Sequence, residues 1–271
     1  MPAVLTDFSD AAVAQANGTN QEGCLGLLRN ALHVECYDGP EMLRICTGVP
    51  FFFLNPVLRT RLGAATLDAW IEPTLNYYRS RGMPMAWIVS PSTQPGDLAD
   101  HLQKHGLTTL MSMPGMAVDL EALPSVPMPS GVTLVEVSDM TTLDHWATTV
   151  SAGSTIPRAV MDVVAQSSAA LGAEAQSIFR SFVAYRNGEP IGASSLYMGA
   201  GVAGIYCVAV LPEARRQGIG AAVTAAPLSL AHRLGYRIGV LQASEMGKPV
   251  YRRLGFKESG RFSLYGFPGP S

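Results

Sequence analysis

Charge and cysteine are both scarce in this chain, and each scarcity removes a class of function. Of its 271 residues 15% are charged, 19 Lys and Arg against 21 Asp and Glu, for a formal net charge of -2 with no block of basic residues. So balanced a surface does not steer a protein onto a polyanion, so neither nucleic acid nor an anionic membrane is an expected partner. The four cysteines, Cys24, Cys36, Cys46 and Cys207, lack CxxC spacing and the density of a small secreted scaffold. Free thiols are expected, and no metal site. No apolar run approaches the roughly 20 residues that span a bilayer, and no basic leader precedes an apolar stretch after Met1. A soluble, cytoplasmic protein is the expectation.

What is abundant is apolar residue, 48% of the chain, enough for one large core or two small ones. Leu123-Pro124-Ser125-Val126-Pro127-Met128-Pro129-Ser130 has no periodicity and reads as a stiff extended connector. Two domains are therefore expected, 1–123 and 131–271, joined by a linker at 124–130.

The most informative stretch runs from Gly204 to Gly235. An apolar run, Ile205 to Leu211, is closed by Pro212 and reads as a buried strand. After a charged turn, Ile219, Val223, Ala226, Leu230 and Leu234 recur at helical spacing, with Arg233 and Gly235 as the stop. Gly218 and Gly220 thus stand at a helix N-terminus, where free N–H groups and the dipole favour an anion such as phosphate. The helix begins Gly220-Ala221-Ala222, so it lacks the Gly-Lys-Ser/Thr of a Walker loop. Val223 replaces the third glycine of a dinucleotide fingerprint, whose first glycine also follows its strand more closely.

What remains is similar to the GCN5-related N-acetyltransferases (GNAT), whose cofactor loop reads Arg/Gln-x-x-Gly-x-Gly/Ala; Arg215, Gly218 and Gly220 match it. Downstream, the apolar run 238–241, the polar turn at Gln242-Ala243-Ser244-Glu245, and Tyr251-Arg252-Arg253-Leu254-Gly255-Phe256 resemble the same family's later strand and its Tyr-x-x-Leu-Gly-Phe helix.

The first half repeats this order. A helical stretch at 7–31, read as one or two short helices, precedes a hairpin of 32–36 and 42–46 about Tyr37-Asp38-Gly39-Pro40, with 49–54 extending the sheet. A helix at 62–81, a strand at 86–89, a Ser-containing turn and a helix closed by Gly106-Leu107 follow. Placing Gly106-Leu107 on Gly255-Phe256 sets Leu102 opposite Tyr251, and 59–65 has a single glycine. The first copy is expected to be catalytically inert and to supply a wall of the acceptor site. The fold class implied is α/β, two tandem GNAT-like domains, each a mixed, mostly antiparallel sheet flanked by helices. In the second half, 131–137 reads as a strand, Ser138 as a helix N-cap, Pro157 as the first turn of a helix over 158–171, and 178–186 with 190–198 as a hairpin about Asn187-Gly188.

The resemblance implies acetyl-CoA as cosubstrate and the primary amine of a small molecule as acceptor, in a monomer or homodimer. Arg215, Arg216, Gln217, Gly218, Ile219, Gly220 and Ala221 would hold the diphosphate. Val208, Ala209 and Val210 would carry the amide arm and polarise the thioester carbonyl. Tyr251 would protonate the leaving thiolate; the bland alternative is a half-buried aromatic. Ser244 is either a cofactor contact or a turn cap. Lys248, Arg252 and Arg253 are either partners of the 3'-phosphate or a solvated helix face. The family's usual basic Glu falls near Gly204, which leaves Tyr206, Glu245, His145 or a water chain as candidates. A noncatalytic acyl-CoA sensor and a transferase of a longer acyl group are the competing readings.

Overall fold

The computed structural model describes residues 4–267. They form one eleven-stranded mixed sheet in the order β1-β2-β3-β4-β11-β5-β10-β9-β8-β7-β6, with helices on its faces. The strands are β1 Glu35–Asp38, β2 Leu43–Cys46, β3 Pro56–Leu58, β4 Ala86–Val89, β5 Thr108–Asp119, β6 Val132–Glu136, β7 Phe179–Arg186, β8 Glu189–Gly199, β9 Val202–Val210, β10 Ile238–Gln242 and β11 Lys257–Gly266. The helices are α1 Asp10–Gly26, α2 Leu67–Arg79, α3 Leu98–Lys104, α4 Met140–Gly153, α5 Arg158–Ala169, α6 Ala173–Ile178, α7 Ile219–Arg233 and α8 Lys248–Arg253.

Only β3 with β4 and β9 with β10 pair in parallel; the other pairings are antiparallel. A parallel pair needs a crossover element, and α2 and α7 supply the two crossovers. The parallel pairs lie on either side of β11 and β5, with four strands beyond β11 and five beyond β5. Each half lends its last strand to the other: β5 follows α3 yet pairs with β10, and β11 follows α8 yet pairs with β4. Neither exchange follows from the sequence, because apolar patterning marks a strand but not its partner.

Other local expectations shift for identifiable reasons. α1 is one continuous helix through Gly18 and Gly23, since both glycines are points of close approach. A Cβ on Gly18 would lie 2.5 Å from Ser92 Oγ, and one on Gly23 2.5 Å from Tyr197 Oη. Residues 49–54 do not extend the sheet; they end in a 3-10 turn, Phe52–Leu54, and β3 begins at Pro56. Asp139, not Ser138, caps α4, in a reciprocal box with Thr142. Asn187 and Gly188 both take positive φ, 53° and 84°, as the tight turn between β7 and β8 requires.

Burial follows the layers. On one face of the first-half strands, α2 and α3 cover Met42, Val57, Met85 and Trp87 with Ile71, Leu75 and Leu102. Leu43, Ile45, Leu58 and Ile88 gather with Leu28 and with Val160 of α5, so a second-half helix helps close the first half's core. Conversely α1 lies on the second-half strands, placing Val13 and Ala16 against Val202, Ile238 and Val240.

Candidate active site

The site is built where β9 and β10 part. They pair only at Ala203 with Gly239 and Gly204 with Val240, so β9 beyond Gly204 has no neighbour on its β10 side. A bulge sharpens the opening: Ala193 faces Ala209 and Ser195 faces Tyr206, which leaves one extra residue on β9, and Cys207 there has φ 51°. The resulting V holds a cleft of about 620 Å³ lined by Val208, Ala209, Val210, Arg215, Arg216, Gly218, Gly220, Ala221, Ser244, Tyr251 and Arg253, with Gly153, Ala214, Met246, Gly247, Pro249 and Val250.

One wall is the N-terminus of α7. Gly218, at φ 81°, turns the chain into the helix, and no side chain caps it. The first helical N–H with an intrahelical acceptor is that of Ala222, donating to Gly218 O at 3.0 Å, so those of Ile219, Gly220 and Ala221 precede the ladder. Gly220 keeps the wall low, since the nearest atom to a Cβ there would be Val210 Cγ2 at 3.7 Å. Uncapped donors, the positive end of a helix and two glycines make a seat for an anion.

Charge in the cleft has one sign. Arg215, Arg216 and Arg253 line it, and among its lining residues there is no Asp, Glu or His. Arg215 braces the loop as well, donating from Nε to Val210 O at 3.2 Å and from Nη2 to Gly153 O at 3.1 Å. Of the three basic residues on α8, two are drawn away: Lys248 and Arg252 pair with Glu258 at 2.8 and 3.0 Å. Arg253 is the one that faces the cleft, and only the packing of α8 distinguishes it.

Tyr251 closes the opposite wall. Its side chain is 8% exposed, packed with Leu254 and Phe256, its ring 5.9 Å from that of Phe256. Burial pushes its phenol up to about 12, so it carries its proton throughout the neutral range and can donate but not accept one. Ser244 lines the cleft and also accepts the Gly247 N–H on Oγ at 3.1 Å, so the turn-cap role is present.

Two residues predicted for the site do not line it with side chains. Ile219 is 1% exposed, in a cluster with Ala184, Ile191 and Val223. Gln217 is exposed, accepting from Arg186 Nη1 at 2.8 Å and donating to Glu213 O. Their part in the loop is backbone only.

The candidate bases lie elsewhere. His145 Nδ1 is 2.8 Å from Tyr185 Oη, Tyr206 donates to Asn20 Oδ1 at 2.6 Å, and neither they nor Glu245 line the cleft. Gly204 cannot carry a carboxylate, because a Cβ there would strike Asn20 Oδ1 and the Tyr206 ring. Asn20 comes from α1 and is fully buried, its Nδ2 donating to the carbonyls of Tyr197, Gly199 and Val202. The first half, through Asn20, therefore fills the space that a side chain at Gly204 would take.

Residues 177–258 match the family model described as "Acetyltransferase (GNAT) domain". No curated protein matches the chain. Among solved structures, a GCN5-related N-acetyltransferase from Kribbella flavida is similar at 20% identity and TM-score 0.72, over 94% of this chain and 96% of that one. One from Sphaerobacter thermophilus is similar at 17% identity and TM-score 0.64, over 97% and 94%. A tandem GNAT protein from the clavulanic acid biosynthesis pathway is similar at 18% and 0.58, over 85% and 79%. At these identities the likeness is one of fold.

Proposed function

We propose that the protein is an acetyl-CoA-dependent N-acetyltransferase acting on the primary amine of a small molecule, a reading supported by the match of residues 177–258 to the GNAT acetyltransferase model. The observation that carries the reading is the cleft itself: an uncapped helix N-terminus and three arginines, no carboxylate, and the Tyr251 side chain on the facing wall. These residues fit coenzyme A. The N–H groups of Ile219, Gly220 and Ala221 would hold its diphosphate, with Arg216 and Arg253 adding charge and Arg215 fixing the loop. The unpaired flank of β9 at Val208, Ala209 and Val210 would take the amide arm as an added strand.

Acetyl-CoA supplies an activated thioester; the chain supplies position and protons. A backbone N–H on the free flank of β9 polarises the carbonyl. Tyr251 donates to the departing sulfur, whose ordinary thiol value is about 8.5. A phenol at about 12 is a weak acid for that task, but the burial that raises the phenol also raises the thiol, so the gap narrows once the cleft is filled. The first half, 1–123, is on this reading a degenerate copy that has given up catalysis for support, joined through 124–130 to the catalytic half, 131–271.

One observation favours a second reading, a noncatalytic acyl-CoA sensor: the site of the usual base is filled by Asn20. Calorimetry with acetyl-CoA and thiol release with a panel of amines test both. Binding with turnover supports the transferase, binding without turnover by any amine the sensor, and no binding sinks both.

A further inference from the structure

The second half holds another cavity, of about 740 Å³, at the end of the sheet away from the cleft. Its walls come from the close of β6, the start of α4, the end of α5, α6 and the opening of β7. Met198 and Leu234, which also line it, fix its distance from the cleft. Met198 pairs with Ala203 on β9, well short of the cleft residue Val208, and at about 3.3 Å per residue the gap is roughly 17 Å. Leu234 stands at the C-terminal end of α7, a 15-residue helix whose other end lines the cleft, so about 22 Å lies between them. The two cavities are separate.

Its walls are apolar, from Leu143, Leu171, Ile178, Phe179, Met198 and Leu234. Met140 and Leu234 are 71% and 40% exposed while lining it, so apolar surface from α4 and from the end of α7 converges on one opening. α6 lends Gln176, Ser177 and Ile178 to the wall yet buries none of its own residues. The charges present are already engaged. Arg180, the basic residue of the lining, donates from Nε and Nη2 to the Glu136 carboxylate, and Asp139 accepts the Thr142 N–H at 2.8 Å as the cap of α4. Two polar side chains of the lining are buried, Ser181 and Tyr236. Ser181 Oγ lies 2.8 Å from Ser195 Oγ. Tyr236 is 3% exposed, and its hydroxyl has no hydrogen-bond partner among the described residues. Burial pushes this phenol up, so it keeps its proton, and the complement of a buried O–H donor is an acceptor.

We propose that this cavity is a second binding site, for a neutral small molecule with an apolar body and a carbonyl oxygen that accepts from Tyr236 Oη. Its volume falls within the span of about 300 to 1,000 Å³ usual for small-molecule sites, and its make-up, apolar walls with a polar group at one point, is theirs as well. A charged ligand would lose its water here and gain no free partner, because Arg180, Glu136 and Asp139 are each committed. Coenzyme A, whose phosphates match the three arginines of the cleft, is therefore not the occupant. The site stands whether or not the cleft transfers an acetyl group.

The test is a fluorescence titration of the full chain with prodan, an uncharged naphthalene that carries a propionyl ketone and a dimethylamino group, beside 2-(dimethylamino)naphthalene, which lacks the ketone. Prodan should bind saturably, one per chain, with its emission shifted to the blue. Tyr236→Phe keeps the ring and removes the donor. It should weaken prodan by about fivefold, the size of one neutral hydrogen bond, and leave the ketone-free probe as it was. Leu234→Arg sets a cation at an exposed wall position where the end of a helix favours one. It should weaken both probes by about tenfold or more. Saturating coenzyme A should leave prodan in place. Displacement of prodan by coenzyme A would overturn the proposal, as would the absence of saturable binding, or a Tyr236→Phe variant that holds both probes as the parent does or loses both equally. If Tyr236→Phe does not fold, Leu234→Arg decides: undiminished binding there overturns the site.

Discussion

Two versions of the same crossover sit in one sheet, and they differ in whether the strands are allowed to part. In the second half β9 and β10 pair for two residues and then splay, and the space between them is the cleft. In the first half β3 and β4 also pair for two residues, Pro56 with Ala86 and Val57 with Trp87. Beyond that the chains are stitched together again. Arg61 bridges Gln94, Leu62 N donates to Gln94 O at 3.0 Å, and Gln94 N to Thr60 O at 3.0 Å. The space is filled as well: Trp87 Nε1 donates to Thr60 Oγ1 at 2.9 Å, and Ser92 reaches Glu22, which pairs with Arg61. The exit helices remain superposable in their capping. Leu107 N donates to Leu102 O and Phe256 N to Tyr251 O, across Gly106 and Gly255 at φ 86° and 91°. Leucine and tyrosine thus occupy one structural position. The same scaffold is a cleft where it is left open and a core where it is sewn shut.

The strongest way to break this contrast is to block the open half. Gly218→Glu places a carboxylate at the uncapped N-terminus of α7 and a side chain at φ 81°. Acetyl-CoA affinity is expected to fall by about a hundredfold or more, read by calorimetry. An unchanged affinity would remove the α7 loop from binding.

Next in size is Gly204→Ala, which presses on Asn20 and costs its buried hydrogen bonds. A loss of about 3 kcal/mol is expected in urea unfolding, and replacing Asn20 by Gly as well should not restore it, because the same hydrogen bonds are then absent. If the single variant is as stable as the parent, α1 is not fixed against β9 in this way.

Tyr251→Phe leaves the packing against Leu254 and Phe256 and removes the donor. It should slow kcat by about tenfold to a hundredfold with little change in acetyl-CoA affinity. In the parent, no loss of rate on the alkaline side is expected from Tyr251 below about pH 10, because its phenol lies at about 12. Leu102→Tyr in the closed half should leave affinity and rate as they are.

The smallest effect expected belongs to the closed half's own fastening. His105 lies 3.0 Å from Asp68 and 3.3 Å from Glu72, joining α3 to α2, and the hydrogen bond to Asp68 raises its pKa above 6.5. A raised folded value means the pairing stabilises fully below about pH 6.5 and fades as pH climbs through the folded pKa. His105→Ala should therefore lower Tm by more at pH 6 than at pH 8, for a partly exposed pair worth a few tenths of a kcal/mol. Equal losses at the two values would mean that only packing is removed.

Much of the candidate site was readable in one dimension because its parts are contiguous. Gly218 and Gly220 before an apolar helical repeat, and Tyr251 four residues ahead of Gly255, are local patterns with local consequences. The parts that escaped are those whose meaning depends on a distant neighbour. Gly18 and Gly23 argue against a helix on propensity, yet they admit Ser92 and Tyr197 to its flank. Arg253 cannot be told from Lys248 and Arg252 without Glu258 beside the latter two.

Local order alone determined the two βαβ units, the glycine-opened helix, the tyrosine helix and the hairpin about Asn187, because hydrogen bonds and side-chain periodicity within about a dozen residues specify them. Tertiary structure decided that β5 and β11 change places, that α1 takes the space of a carboxylate at Gly204, and which of two similar crossovers stays open. Those outcomes rest on contacts between residues more than a hundred positions apart, such as Asn20 with Tyr206 and Asp119 with Ile238, and nothing in the spacing of a single stretch encodes its distant partner.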